Sequence, residues 1–304
     1  MSSSAADRQW WLEWLGVTPD RPARARWYDV DELADGMTCR RLDLEVPGAT
    51  LQCALVEPAG SGPRPVVVIP FYDTGVVIGR PDPDGWQPSN PDLARYAYAQ
   101  HLAERGMAAL AVPWWFEVVT TDKVRNRTLD QRYAPAVATH RASSAGTGLG
   151  RAVADLMLAV DAVADLPSID PERIGVFGHS LGGKLALHLA ALDPRVRAGV
   201  AHEPGLGLAN SNWDAPWYLD GRTPDDRDHD QLLELIAPRP FLLIGGGSAD
   251  GEHTRPLVRT PNVDFVLHDA GHTPTWAVLQ QSYGWLDARL VDPDAVRSLD
   301  SLRP

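Results

Sequence analysis

The sequence predicts an α/β fold with an open, mostly parallel sheet and helices on both faces. Two observations predict it. Short apolar runs alternate with longer segments of helical periodicity, after a first part that is typical of antiparallel strands. At residues 178–182, one such run passes into a helical segment through the pattern G-x-S-x-G, which is typical of a sharp strand-to-helix turn. Ligands of such sheets bind beyond the carboxyl ends of the strands, so we expect the functional site there.

Each element is predicted from its own residues. Alternation of polar and apolar residues on both sides of a Pro-Gly pair predicts a hairpin of strands at 38–46 and 51–57. Runs that are apolar at successive positions predict buried strands at 65–70, 107–112, 173–177, 197–202, 241–244 and 263–267. Helical periodicity predicts helices at 10–15, 91–105, 148–166, 184–192 and 274–290.

The chain is expected to form a single domain over residues 1–304, because it has no repeat, no low-complexity tract and no interdomain linker. Two long segments, about 113–147 and 203–230, interrupt the alternation of strands and helices. Segments of that length without regular structure are usually lids or binding loops, so we expect lid-like insertions there. Both are rich in tryptophan.

Composition limits the classes of partner. The net charge of −12 argues against nucleic acid and anionic membranes as partners. No apolar run is long enough to span a bilayer, and the first residues lack the pattern of a secretion signal, so a cytoplasmic location is expected. Cys39 and Cys53 lie in neighbouring predicted strands, where buried free thiols are expected and a disulfide is the alternative. No metal-ligand spacing is visible, and no metal or cofactor is expected. The oligomeric state is not indicated.

Ser180 is the candidate nucleophile, because the G-x-S-x-G turn exposes the serine hydroxyl at its tip. A serine hydroxyl is a weak nucleophile and requires a base and a group that orients that base. In this kind of fold the chain order is serine, acid, histidine. His272 follows the last predicted strand in a loop that contains Gly271, so it is the candidate base.

Two carboxylates compete to orient His272. Asp250 follows the predicted strand at 241–244. The carboxylate that orients the histidine usually lies after this strand, so Asp250 is preferred. Glu203 directly follows the strand at 197–202 and is the alternative. Whichever carboxylate does not orient the histidine is expected to contact the substrate or to support the other one.

The negative charge that develops on an ester oxygen during attack needs hydrogen-bond donors. The backbone N–H of Leu181 is one candidate, because it follows the nucleophile at the positive end of a helix. The second candidate donor comes from the loop after Pro70 and is the N–H of Phe71 or Tyr72.

This layout resembles the α/β-hydrolase superfamily from about residue 38 to 290. The segments 178–184 and 202–205 resemble serine esterases of the acetyl xylan esterase and dienelactone hydrolase type, and they are similar to the glucuronoyl esterases. In the glucuronoyl esterases a lysine four residues after the serine touches the sugar and a glutamate after the next strand is the acid, so the resemblance implies these roles for Lys184 and Glu203. Leu181 departs from the arginine that those enzymes carry, and Ser180 departs from the cysteine of dienelactone hydrolases.

The expected function is therefore hydrolysis of a carboxylic ester of a carbohydrate or a small molecule through an acyl-enzyme intermediate. The alternative is an acyltransferase or cyclase that uses the same acyl-enzyme in a biosynthetic pathway. Flat aromatic rings of the two insertions are candidates to line the substrate site together with Lys184. They are Trp114, Trp115, Trp213 and Trp217.

Overall fold

The structure, a computed structural model, describes residues 3–17, 24–81, 92–120 and 128–291. Within these ranges the strands are β1 Arg24–Glu32, β2 Thr38–Val46, β3 Ala49–Glu57, β4 Arg64–Phe71, β5 Ala108–Pro113, β6 Ile169–His179, β7 Val196–His202, β8 Phe241–Gly245 and β9 Val263–Leu267. The α-helices are α1 Ser3–Leu15, α2 Thr74–Val77, α3 Tyr98–Ala103, α4 Trp115–Val119, α5 Leu129–Ser143, α6 Gly148–Ala164, α7 Leu181–Leu192, α8 His229–Ile236 and α9 Trp276–Leu290.

In the described part of the chain, the strands form one sheet in the order β1-β2-β3-β5-β4-β6-β7-β8-β9. The pairs β1–β2, β2–β3 and β3–β5 are antiparallel, and every later pair is parallel. This confirms the predicted mostly parallel sheet. The parallel strands β6, β7 and β8 end side by side, which brings the segments that follow them to one edge.

The sheet is covered on both faces, as predicted. One face packs against a core that includes residues of α1, α6, α7 and α8. The other packs against α3 and α9, with Tyr98, Leu102, Tyr283 and Leu286 in its core. The parallel strands are buried on both sides, which explains their continuous apolar sequences: all seven residues of β4 after its first are buried.

Several boundaries differ from the sequence expectations. β1 was not predicted, because it is an edge strand with few apolar residues and its side chains are mostly exposed. α8 begins within the second insertion and was also missed. The helix predicted at 91–105 is a 3₁₀ turn at Leu93–Tyr96 followed by α3, and residue 91 lies outside the described residues.

Cys39 and Cys53 are buried free thiols on β2 and β3, as expected. Among the helices that the structure describes, none combines the length and apolar character that a membrane span requires. The same ranges hold no group of three or more histidine, cysteine, aspartate or glutamate side chains arranged to bind a metal ion.

Candidate active site

Ser180 lies at a strained turn between β6 and α7. Its φ of 59° and ψ of −117° fall outside the regions that L-residues favour, and such a conformation costs about 1–3 kcal/mol. The flanking glycines are required for close approach. A Cβ on Gly178 would lie 1.9 Å from the carbonyl oxygen of Gly182, and a Cβ on Gly182 would lie 2.3 Å from that of Pro70. The G-x-S-x-G segment therefore forms the predicted strand-to-helix turn.

His272 meets Glu203 at the edge where β6, β7 and β8 end. Its Nδ1 lies 3.3 Å from Oε2 of Glu203. Its ring also lies beside His179, the residue before Ser180, at 4.9 Å between ring centroids. The side chain of His272 is 46% exposed, whereas that of Glu203 is fully buried. The structure thus brings a solvent-accessible imidazole and a buried carboxylate to the strand end that carries Ser180.

Hydrogen bonds to both oxygens of Glu203 keep its side chain ionised. Its Oε1 accepts a hydrogen bond from the N–H of Gly246, and its Oε2 accepts from the Ser248 hydroxyl and the Ala249 N–H, both at 2.8 Å. Burial alone would raise the pKa of Glu203, but these hydrogen bonds and the one to His272 outweigh burial and lower the pKa to about 2. Glu203 itself has φ of 52°, a second strained residue at this edge.

Asp250, the preferred candidate to orient His272, has other hydrogen-bond partners in the structure. Asp250 is buried, and its two carboxylate oxygens accept the backbone N–H groups of Gly205 and Leu206 at 2.6 and 2.7 Å. Glu203, the alternative candidate, lies against the imidazole instead. Asp250 ties the loop after β8 to the segment after Glu203, because it caps two amides of that segment.

The candidate oxyanion donors lie around the serine. Leu181 is the first residue of α7, where backbone N–H groups have no partner within the helix. Phe71 ends β4, and its carbonyl accepts the N–H of Trp114 at 2.8 Å. The side chain of Ser180 lies close enough to the Tyr72 hydroxyl to lower the pKa of Tyr72. Burial and the nearby Glu117 charge raise the pKa of Tyr72 to about 12, so its phenol is protonated at neutral pH.

Lys184 is buried rather than open to solvent, at 5% exposure. Its Nζ donates to the Pro204 carbonyl at 3.0 Å and to Ser211 Oγ at 2.9 Å, and lies 3.7 Å from the centroid of the Trp213 ring. These contacts tie the second insertion to α7. Burial lowers the pKa of Lys184 to about 7, although the Asp250 charge opposes the shift.

The pKa of Lys184 predicts a pH-dependent stability. The unfolded chain holds the lysine proton up to its ordinary pKa of 10.5, and the folded chain releases it near 7. Between these values the unfolded state binds more protons, so the free energy of unfolding rises with pH. We expect the wild type to gain stability relative to Lys184→Met between about pH 6 and about pH 9 in urea titrations. A difference that stays constant over this range would contradict the shift.

The expectation that tryptophan side chains line an open substrate site requires correction. The four tryptophans proposed to line the substrate site are all at most 4% exposed: Trp114, Trp115, Trp213 and Trp217. They pack the insertions onto the body instead of forming an open surface. Trp114 packs edge-on against Tyr72, with 6.1 Å between the ring centroids.

A polar cleft of about 260 Å³ opens beside Tyr72. It is also lined by Thr50, Gln52, Asp73 and Glu117 among others. Asp73 accepts two amides of the turn at α2, while Glu117 pairs with Arg132 and accepts the Tyr133 hydroxyl at 2.8 Å. The cleft therefore offers hydroxyl, amide and carboxylate groups beside Tyr72.

Sequence reasoning missed the histidines that support the His272 loop. His179 and His202 end neighbouring strands and are paired in register. His179 Nε2 lies 2.8 Å from the His272 carbonyl oxygen, and His202 Nε2 lies 2.9 Å from His268 Nε2. The sequence signal that could have identified them is their position directly before Ser180 and Glu203. Residues at these two strand ends contact the loop after β9.

Comparison with known proteins gives local sequence matches and a global match of fold. The model of a family described as acetyl xylan esterase (AXE1) matches residues 149–214. A putative hydrolase of Bacillus subtilis is 26% identical over 163 residues, which cover 49% of this chain and 52% of that protein. A 4-O-methyl-glucuronoyl methylesterase of Sodiomyces alcalophilus is 32% identical over 114 residues, covering 28% of this chain and 23% of its own.

A polyketide transferase of Penicillium crustosum is 33% identical over 97 residues, which cover 32% of this chain and 29% of that protein. The chain thus spans about half or less of the length of these curated relatives. A solved glucuronoyl esterase from Solibacter usitatus superposes with a TM-score of 0.66 at 18% identity, over 92% of this chain and 91% of that one. Together with the sheet order and the serine turn, the structural match shows that the chain shares the fold of this esterase.

Proposed function

We propose that the protein is a serine hydrolase that cleaves a carboxylic ester through an acyl-enzyme intermediate. The observation that carries the proposal is the contact of the buried Glu203 carboxylate with His272, next to the strand end that bears the strained Ser180. The matches to esterases support the same reaction class.

In the proposed mechanism, Ser180 Oγ attacks the carbonyl carbon of the ester while Nε2 of His272 accepts the hydroxyl proton. Glu203 accepts the Nδ1–H of His272, which fixes the tautomer with a free Nε2 and stabilises the imidazolium. His272 then gives the proton to the leaving alcohol as the tetrahedral intermediate collapses. Water activated by His272 attacks the acyl-serine and releases the acid, which restores the Ser180 hydroxyl.

The oxyanion of the tetrahedral intermediate is proposed to accept the Leu181 N–H and one donor from the Phe71–Tyr72 loop. That second donor is proposed to be the backbone N–H of Phe71 or of Tyr72. The loss of one such donor typically costs about 3 kcal/mol of transition-state stabilisation.

The substrate is proposed to be a small ester with a hydroxyl-bearing group, because the cleft beside Tyr72 is lined by polar side chains. Lys184 is not assigned to substrate binding here, since Pro204, Ser211 and Trp213 already surround its amine. This is a difference from the role that the resemblance to glucuronoyl esterases implies.

Acyl transfer to an alcohol or amine is the second candidate function. It would use the same acyl-serine, and the match to a protein named a polyketide transferase favours it. The deacylation step separates the two, because water and an acceptor compete for the same acyl group.

The test is to incubate the protein with p-nitrophenyl acetate and to quantify acetate and transfer product with and without added alcohols and amines. Hydrolysis predicts equimolar nitrophenol and acetate, with little transfer at millimolar acceptor. A predominant transfer product would favour the second function. Heat-denatured protein is the control, and a rate no higher than that control with all of a panel of short-chain and sugar esters would contradict both.

A further inference from the structure

The loop that carries His272 rests on two buried histidines of the sheet edge. His202, at the end of β7, meets His268 at the start of the loop, with 2.9 Å between their Nε2 atoms. His268 Nδ1 accepts the N–H of Ala270, so its Nε2 is the donor to His202 when the ring is neutral. His179, at the end of β6, meets the other end of the loop at His272 itself.

The tautomer of His179 follows from its partners. Its Nε2 lies 2.8 Å from the carbonyl oxygen of His272, and a carbonyl can only accept, so Nε2 bears the proton. Nδ1 is then the acceptor and faces the Tyr98 hydroxyl at 3.4 Å. The side chain is 4% exposed, and its ring lies 4.9 Å from that of His272.

A neutral His179 side chain is compatible with the proposed role of the neighbouring His272 as the base. Burial and the neighbouring His272 lower the pKa of His179 to about 3. A positive charge at this distance would oppose the protonation of His272 that the proposed mechanism requires. A neutral ring donates one directed hydrogen bond to the loop without adding such a charge.

We propose that His179 is a positioning residue that fixes the His272 imidazole for its proton transfers by donating its Nε2–H to the His272 carbonyl. The inference rests on the proposed ester hydrolysis. His179 lies within the serine turn, so the same strand end sets the position of both the nucleophile and the base.

The test compares two variants without the donor, His179→Met and His179→Phe, with His179→Gln, whose side-chain amide retains an N–H. The matched control is His140→Met. His140 is equally buried, at 4% exposure, and its Nε2 likewise lies 3.2 Å from a backbone carbonyl, that of Gly146. It belongs to α5 and has no contact with the His272 loop among the described residues.

We expect whichever donor-lacking variants fold to lose kcat by about tenfold to a hundredfold with KM within about twofold, because a misplaced base impairs chemistry and not binding. His179→Gln should recover most of the loss. His140→Met should lower the melting temperature to a similar extent and retain the wild-type kcat.

Wild-type kcat in a folded donor-lacking variant, or a loss that His179→Gln does not recover, would overturn the inference. So would an equal loss of kcat in His140→Met. These results are distinguishable from a failure of the proposed function, because that failure would appear as activity retained when Ser180 itself is replaced.

Discussion

Ser180→Ala is expected to reduce the hydrolysis of p-nitrophenyl acetate by about 10⁵-fold or more, because no acyl-enzyme can form without the nucleophile. The fold should tolerate the change. Ser180 makes its backbone contacts, such as N–H to the His202 carbonyl at 2.9 Å, independently of its side chain. The melting temperature should therefore stay close to that of the wild type, and steady-state kinetics should report the loss in kcat.

The matched control for this variant is Ser282→Ala. Ser282 is buried in α9 and its hydroxyl donates to the Val278 carbonyl at 2.8 Å, so the change removes a serine hydroxyl away from the proposed site. It should retain full activity. Turnover by Ser180→Ala at more than a small fraction of the wild-type rate would show that the hydroxyl is not the nucleophile.

Glu203→Gln is expected to lower kcat by about 10³- to 10⁴-fold, in line with the loss of the acid in serine triads. The amide has nearly the same shape as the carboxylate, but it can present an N–H to His272 and stabilise the wrong tautomer. It also cannot stabilise the imidazolium. The binding of substrate should change little, so the loss should appear in kcat and kcat/KM together.

Asp250→Asn is the comparison that decides between the two carboxylates. Asp250 accepts two backbone amides, and asparagine retains one acceptor oxygen while turning an NH₂ group towards the other amide. We expect a loss of about 1–3 kcal/mol in the free energy of unfolding, with kcat nearly unchanged well below the melting temperature. A loss of kcat as large as that of Glu203→Gln would assign the orienting role to Asp250.

The sequence was sufficient for most of the sheet because the buried parallel strands are continuous apolar runs. Helices α4 and α5, which lie in the first insertion, were not predicted. β1 could not be predicted in this way, since exposed edge residues carry no apolar pattern. α8 could have been found, because the segment 231–236 contains apolar residues at helical spacing. Only the first two residues of α8 fall in the insertion at 203–230, and the rest of the helix was not predicted.

Chain order alone does not identify the carboxylate that contacts His272. Glu203 and Asp250 follow neighbouring strands, β7 and β8, and both keep the order of serine, acid and histidine. The difference lies in backbone conformation: Glu203 has a positive φ at the strand end and turns its carboxylate to the His272 loop. The role of the four tryptophans could not be decided from sequence either, because aromatic side chains occur both around substrate sites and in packed cores.

The most direct test of the account is covalent labelling with a fluorophosphonate, which reacts with an activated serine, followed by peptide mass spectrometry. The account predicts stoichiometric modification of Ser180 in the wild type and labelling at least about a hundredfold slower in His272→Ala, where the base is absent. A folded, ester-hydrolysing wild-type protein that remains unlabelled at Ser180 would contradict the assignment of this serine as the nucleophile.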